Sequence, residues 1–208
     1  MTASPSRALI IVDVQNDFCE GGSLAVAGGA AVAGAISGYV ASSAGRYAAV
    51  VATTDWHEDP GAHFSDSPDY VDSWPAHCRI GTEGALIHPD AEPAFEHVQA
   101  VFRKGVHQAA YSGFEGVTPE GDRQVPLADW LRERAVAEVD VVGIATDHCV
   151  RATALDAAAE GFGTTVLLDL TAGVARESTE RAMAQLREAG VVLDGEPHVG
   201  GPPGVAGD

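Results

Sequence analysis

Glu138-Val-Asp-Val-Val-Gly-Ile144-Ala-Thr-Asp-His-Cys149-Val-Arg-Ala-Thr-Ala-Leu155 is the stretch from which the architecture of this chain can be read. Val139 to Ile144 is an apolar run interrupted only by Asp140, and it reads as a strand buried on both faces. A short polar turn follows, and then an Ala-rich helix to about Glu160. Cys149 falls where that helix begins. Unpaired N–H groups and the positive end of the helix dipole favour an anion there, so the thiol is expected to lean toward thiolate, the form that attacks carbonyl carbon. The competing reading is a buried cysteine that only fills space.

The same strand-then-helix pattern recurs on either side. Ala8 to Val14 reads as a buried strand, Ala30 to Ala44 as a helix, and Ala48 to Thr54 as a second strand ending at Asp55. An irregular region rich in Pro, Gly, His and Asp occupies residues 56 to 97. Val98 to Phe102 reads as a third strand ending just before Lys104, and Leu127 to Ala135 as a helix. Thr164 to Leu170 follows as a strand, Glu177 to Ala189 as a helix closed by Gly190, and Val191 to Leu193 as a short last strand. Strands alternating with helices imply a parallel sheet covered on both faces, an α/β fold in three layers. Residues 1–194 are expected to form one domain and residues 195–208, with Gly-Gly-Pro-Pro-Gly, a disordered tail.

In parallel sheets of this kind, ligands bind beyond the carboxyl ends of the strands. Asp13, Asp55, Lys104 and Cys149 all fall at or just past such ends. An irregular stretch of some forty residues is itself uncommon in a compact domain unless it is functional. It holds Asp55-Trp-His57, His63-Phe64 and Ser73-Trp74-Pro-Ala-His77-Cys78. Asp55 and His57 point to one side of an extended chain, and His63 and His77 join them if the loop folds back. Imidazoles with a carboxylate suit zinc, manganese or ferrous iron better than calcium or magnesium. Decoration of a polar loop is the competing reading.

Charge and composition narrow the function classes. The chain has 30 acidic and 12 basic residues, a formal net charge of −18, with no Lys/Arg cluster. That argues against a nucleic-acid partner or an anionic membrane surface. Its three cysteines, Cys19, Cys78 and Cys149, are too few and too scattered for a disulfide scaffold. The N-terminus lacks a signal peptide's apolar stretch, and a cytoplasmic location is expected.

Taken in order, Ile11-Val-Asp13-Val-Gln-Asn-Asp-Phe18-Cys-Glu-Gly-Gly-Ser-Leu24, Asp55-x-His57, His63-Phe, Ser73-Trp74-Pro-x-His77-Cys, Lys104-Gly, Ala110-Tyr111-Ser-Gly-Phe-Glu-Gly and Gly143-Ile-Ala-Thr-Asp-His-Cys149-Val resemble the nicotinamidases, also called pyrazinamidases, among the isochorismatase-like cysteine hydrolases. The resemblance covers residues 7 to 193. It implies a six-stranded, mainly parallel sheet between helices, and a metal-dependent amidohydrolase that converts nicotinamide to nicotinate and ammonia for NAD salvage, with pyrazinamide as a second substrate. It implies a catalytic triad of Asp13, Lys104 and Cys149. An oxyanion hole is expected from the N–H groups of Ala145 and Cys149, next to a cis bond between Ile144 and Ala145. One divalent metal (Zn, Fe or Mn) falls to Asp55, His57 and His77, with His63 a fourth ligand in some members. Phe18, Trp74 and Tyr111 match pocket-wall positions, and Leu24, Ile144 and His148 are further wall candidates. The implied partner is a small aromatic amide, and the protein acts as a monomer or homo-oligomer. Two rivals remain open: a carbamoyl-amine or ureido-amide hydrolase on the same scaffold, and a non-catalytic metal-binding protein in which Cys149 only packs.

Overall fold

The computed structural model describes residues 6–200. Five strands and a short edge strand form a parallel sheet: β1 (Arg7–Val12), β2 (Ala49–Asp55), β3 (Ala100–Lys104), β6 (Glu138–Ile144), β7 (Gly163–Gly173) and β8 (Val192–Asp194). An antiparallel hairpin, β4 (Val117–Glu120) and β5 (Arg123–Pro126), extends one edge, and β9 (His198–Val199) pairs with β7. The order is β5-β4-β3-β2-β1-β6-β7-β8, with β9 off that path. The sheet thus has nine strands rather than the six expected. The hairpin escaped the sequence reading because only Thr118 and Val125 are buried in it, and Pro119 and Pro126 sit where an edge tolerates them.

Helices cover both faces. Successive β1 side chains point to opposite sides: Leu9 and Ile11 pack under α1 (Gly29–Ser43) and α2 (Glu92–Phe95), while Ala8, Ile10 and Val12 face α3 (Leu127–Glu133), α4 (Arg151–Ala159) and α5 (Arg176–Glu188). Each fully buried Leu or Ile contributes about 1.5–3 kcal/mol to this three-layer arrangement. Among the described residues no helix is long and apolar enough to cross a membrane.

Several boundaries differ from the sequence reading, each for a local reason. Lys104 is the last residue of β3 rather than the one beyond it, since its side chain is buried by carboxylates that lie far away in sequence. The tail does not begin at Gly195: residues 195–200 are placed, with the Glu196 N–H donating to Asp169 Oδ1 at 2.9 Å and His198 paired with Ala172. Residues 201–208 lie outside the described residues.

The chain runs outward from β1 through β2 to β3, then returns to the other side of β1 at β6. The strand order therefore reverses between β1 and β6, the position where such sheets bind ligands. Asp13 follows β1, and the Cys149 turn follows β6. Gly143 permits this junction: its φ is +118°, and a Cβ there would lie 2.1 Å from the Val12 carbonyl oxygen.

Candidate active site and metal centre

Cys149 does not open a regular α-helix. It lies in one π-helical turn, Thr146–Val150, between β6 and α4, and the Ile144–Ala145 peptide before it is cis. The N–H groups on either side of Cys149, those of His148 and Val150, both donate to the Ala145 carbonyl, at 3.0 and 3.1 Å. Lys104 reaches this turn from β3, with Nζ 3.7 Å from Cys149 Sγ and 2.9 Å from Asp13 Oδ2, and it also contacts Asp55 Oδ1. Asp13 adopts a left-handed φ of +49°, a conformation that costs a non-glycine residue of order 1–3 kcal/mol and is held here by its surroundings. Its N–H donates to the Thr53 carbonyl at 3.2 Å, and the Thr53 hydroxyl donates to Oδ1 at 2.6 Å.

The four groups are buried together, and their protonation states follow from that. Burial pushes the Asp13 carboxyl above its ordinary range, and Lys104 only partly restores it. Burial also opposes ionisation of Asp55, but the Lys104 ammonium acts against it, and that carboxyl is held well below its ordinary range. Lys104 stays cationic, since two carboxylates overcome its desolvation. Burial drives the Cys149 thiol well above its ordinary value; Lys104 opposes this, while Asp13 and Asp55 add to it. The expected thiolate is thus not the resting form. A helix terminus contributes about 1 kcal/mol, less than one pKa unit, whereas burying an anion beside two carboxylates costs several.

A cluster of imidazoles adjoins this group. The ligand atoms of His57, His63 and His77 lie within 4.8 Å of one another. Asp55 Oδ2 is 3.6 Å from Nε2 of both His57 and His77. Zinc–ligand bonds of 2.0–2.1 Å in tetrahedral geometry separate donors by about 3.4 Å, so these spacings suit such an ion. The tautomers agree. His57 Nδ1 meets the Gly105 carbonyl at 2.5 Å and His77 Nδ1 the Pro75 carbonyl at 2.8 Å. A carbonyl only accepts, so Nδ1 carries the hydrogen in both rings, and each Nε2 presents a lone pair to the cluster. His57 Nε2 and His63 Nδ1 are buried without a hydrogen-bond partner. Burial, with His77 and His57 nearby, lowers the His63 pKa to about 4, which keeps that ring neutral at pH 7. Orphaned imidazole nitrogens around a carboxylate are the donor set a borderline divalent cation takes. Gly105 makes the His57 contact possible: its φ is +76°, and a Cβ would lie 2.5 Å from His57 Cε1. Cys78 is not part of the cluster; it is buried with Sγ toward the Gly84 carbonyl.

Both groups open into one cavity of about 790 Å³. Asp55, His63 and His77 line one part of it, and Ala145 and Cys149 another. All six wall candidates, Phe18, Leu24, Trp74, Tyr111, Ile144 and His148, line it too. The aromatic walls brace one another: Trp74 Nε1 donates to the Tyr111 hydroxyl at 2.9 Å, and the His148 ring meets Trp74 edge-on, with centroids 5.1 Å apart. The sequence reading missed the outer wall from β7 to α5, which includes Val174, Ala175 and Ser178. It also missed Gln15, whose amide clamps Asp55 by accepting from its N–H at 2.8 Å and donating to its carbonyl at 2.9 Å. A glutamine two residues past Asp13, just beyond the apolar run of β1, was the available signal.

This architecture has known relatives. The isochorismatase domain family matches the chain over residues 7–196. A nicotinamidase/pyrazinamidase of Mycobacterium tuberculosis is 60% identical over 187 residues, spanning 90% of this chain and 97% of its own. The crystal structure of a pyrazinamidase of Pyrococcus horikoshii in complex with zinc is similar at a TM-score of 0.73 and 36% identity, covering 91% of this chain and 98% of that one. PnC1 from L. infantum, in complex with nicotinate, is similar at a TM-score of 0.77 and 39% identity, covering 93% and 94%. The chain belongs to the isochorismatase domain family, on its nicotinamidase/pyrazinamidase branch.

Proposed function

We propose that this protein hydrolyses nicotinamide to nicotinate and ammonia, and pyrazinamide by the same route, in the service of NAD salvage. The observation that carries the reading is the shared cavity: a cysteine beside a lysine–aspartate pair at one side, and buried imidazole nitrogens without partners at the other. A cytoplasmic location and a single catalytic domain are part of the proposal.

The flat substrate ring lies between Phe18, Trp74 and Tyr111, with its carboxamide toward Cys149. Asp55, His57, His63 and His77 would hold a divalent metal, zinc, iron or manganese, which would supply Lewis acidity to the bound substrate. Because the Cys149 thiol rests protonated, it must be activated as it reacts. Asp13 takes the proton while Sγ bonds to the amide carbon. Negative charge that develops on the amide oxygen is received by the N–H groups of Ala145 and Cys149. Asp13 then passes the proton to the departing nitrogen; the C–N bond breaks, ammonia leaves, and an acyl-thioester remains on Cys149. Asp13 next removes a proton from water as its oxygen attacks the thioester carbon. The C–S bond breaks, the proton returns to sulfur, and the acid departs as nicotinate, its remaining proton passing to ammonia or solvent. Lys104 stays charged throughout and makes room for a second anion beside Asp55.

Ammonia release from nicotinamide by metal-replete protein tests the reading, with Cys149→Ala measured alongside. Wild-type turnover is expected, with a loss of about 10³-fold or more in the variant. An inert wild-type protein with metal bound would overturn the proposed substrate. Turnover that survives in Cys149→Ala would overturn the nucleophile.

A further inference from the structure

Asp147 precedes Cys149 by two residues, and its side chain is fully buried. Among the described residues no arginine pairs with its carboxylate: Arg151 Nε donates to the Asp147 backbone carbonyl at 3.1 Å, and Arg151 Nη1 to Gln185 Oε1 at 2.9 Å. His148 Nε2 is 3.9 Å from Oδ2. The carboxylate instead accepts the N–H groups of Val174 at 2.9 Å and Ala175 at 3.4 Å, and the Ser178 hydroxyl at 2.5 Å. These donors form the entrance to α5, whose N-cap, Ala175, has no side chain with which to cap it. Asp147 therefore caps α5 from the nucleophile turn, in the place an N-cap aspartate would take.

The turn it belongs to is only five residues long, so its position depends on its anchors. One is the Thr146 hydroxyl, 2.9 Å from that of Thr171 on β7. The other is Asp147. The groups it grips are also the outer wall of the cavity. We propose that Asp147 is a positioning residue for the nucleophile: it clamps the Cys149 turn to the start of α5, and so fixes the sulfur relative to Lys104 and Asp13. The proposal rests on Cys149 being the nucleophile. Misplacement of a reacting group by 1 Å can cost about 100-fold in rate, so a loosened clamp is expected to appear in kcat.

The test compares Asp147→Ala, Asp147→Asn and Ser178→Ala in metal-replete protein. Asp147→Ala is expected to lower kcat for nicotinamide by about 100-fold, with KM little changed and metal content retained. Asp147→Asn, whose amide oxygen still accepts, should recover part of that loss. Ser178→Ala should show part of that loss alone and no further loss when added to Asp147→Ala, because its partner is already gone. The rate at which iodoacetamide alkylates Cys149, read by peptide mapping, should fall in the same order. That readout needs no substrate, so it judges the clamp even if nicotinamide is not turned over. If Asp147→Ala fails to fold, the Asn and Ser178 variants carry the comparison. Kcat and alkylation rates equal to wild type per folded molecule would overturn the proposal, as would a purely additive double variant.

Discussion

At the amino ends of β1 and β6, Arg7 reaches Asp140 at 2.7 Å and Glu138 at 3.0 Å, and the Tyr47 hydroxyl donates to the other Asp140 oxygen at 2.8 Å. Tyr39 and Tyr47 complete the chain, with their hydroxyls 2.6 Å apart. At the carboxyl ends of the same strands, Lys104 is buried between Asp13 and Asp55 beside Cys149. Both clusters are ionic and both involve β1 and β6, but they differ in saturation. Each Asp140 oxygen has a partner. Of the five buried side-chain polar atoms without a hydrogen bond among the described residues, His57 Nε2 and His63 Nδ1 belong to the carboxyl-end site, and a third, Asp13 Oδ2, has only its ion pair with Lys104. Buried polar atoms are normally satisfied, so this concentration marks a place built for something that arrives. The amino-end network holds strands together, whereas the carboxyl-end site keeps imidazole nitrogens free of protein partners.

Removing the cation at each end tests the contrast most severely. Lys104→Met leaves Asp13 and Asp55 facing each other without compensation, and is expected to cost about 3–5 kcal/mol in urea unfolding and to abolish turnover. Arg7 is partly solvent-exposed, and Arg7→Met should cost no more than about 1 kcal/mol while leaving turnover intact. Equal losses at the two ends would break the comparison. His57→Ala should weaken metal binding by more than the roughly 100-fold that a lost outer-shell partner causes, as read by elemental analysis after dialysis. Undiminished metal would mean that the orphaned nitrogens serve some other purpose. Tyr47→Phe is the mildest case, with about 1 kcal/mol lost and ammonia release unaffected. It also carries a pH signature. Burial, then hydrogen bonds with Tyr39 and Asp140, raises the Tyr47 phenol above its ordinary value of 10.0. The unfolded chain therefore releases this proton first, and stability falls as pH rises past about 10. Denaturation at alkaline pH should show a smaller decline for the Phe variant.

The parallel strands were legible because burial on both faces forces long apolar runs, as in Ala8 to Val12 and, interrupted only by Asp140, Val139 to Ile144. The β4–β5 hairpin and β9 were not, since an edge buries few side chains and leaves little pattern to read. The candidate site was legible at the level of residue identity. Asp13, Lys104 and Cys149 stand out as chemistry-bearing residues at strand ends, and Asp55, His57, His63 and His77 as a donor set in an irregular region; all seven converge. Their protonation was not legible. The position of Cys149 ahead of a helix argued for a thiolate, but charge state depends on burial and on neighbours that the order of residues does not reveal.

Asp147 shows the same division in a single residue. In sequence it is one polar residue in a turn, with nothing to separate it from His148 beside it. Its partners Val174, Ala175 and Ser178 follow some thirty residues later and reach it only because β7 runs back beside β6. The amino-acid sequence by itself determined the layered sheet and the inventory of reactive groups, because apolar periodicity and residue chemistry are local properties. Tertiary structure alone decided which of those groups are satisfied, which are charged, and which distant segments anchor the Cys149 turn, because hydrogen bonding and desolvation depend on distances between segments far apart in the chain.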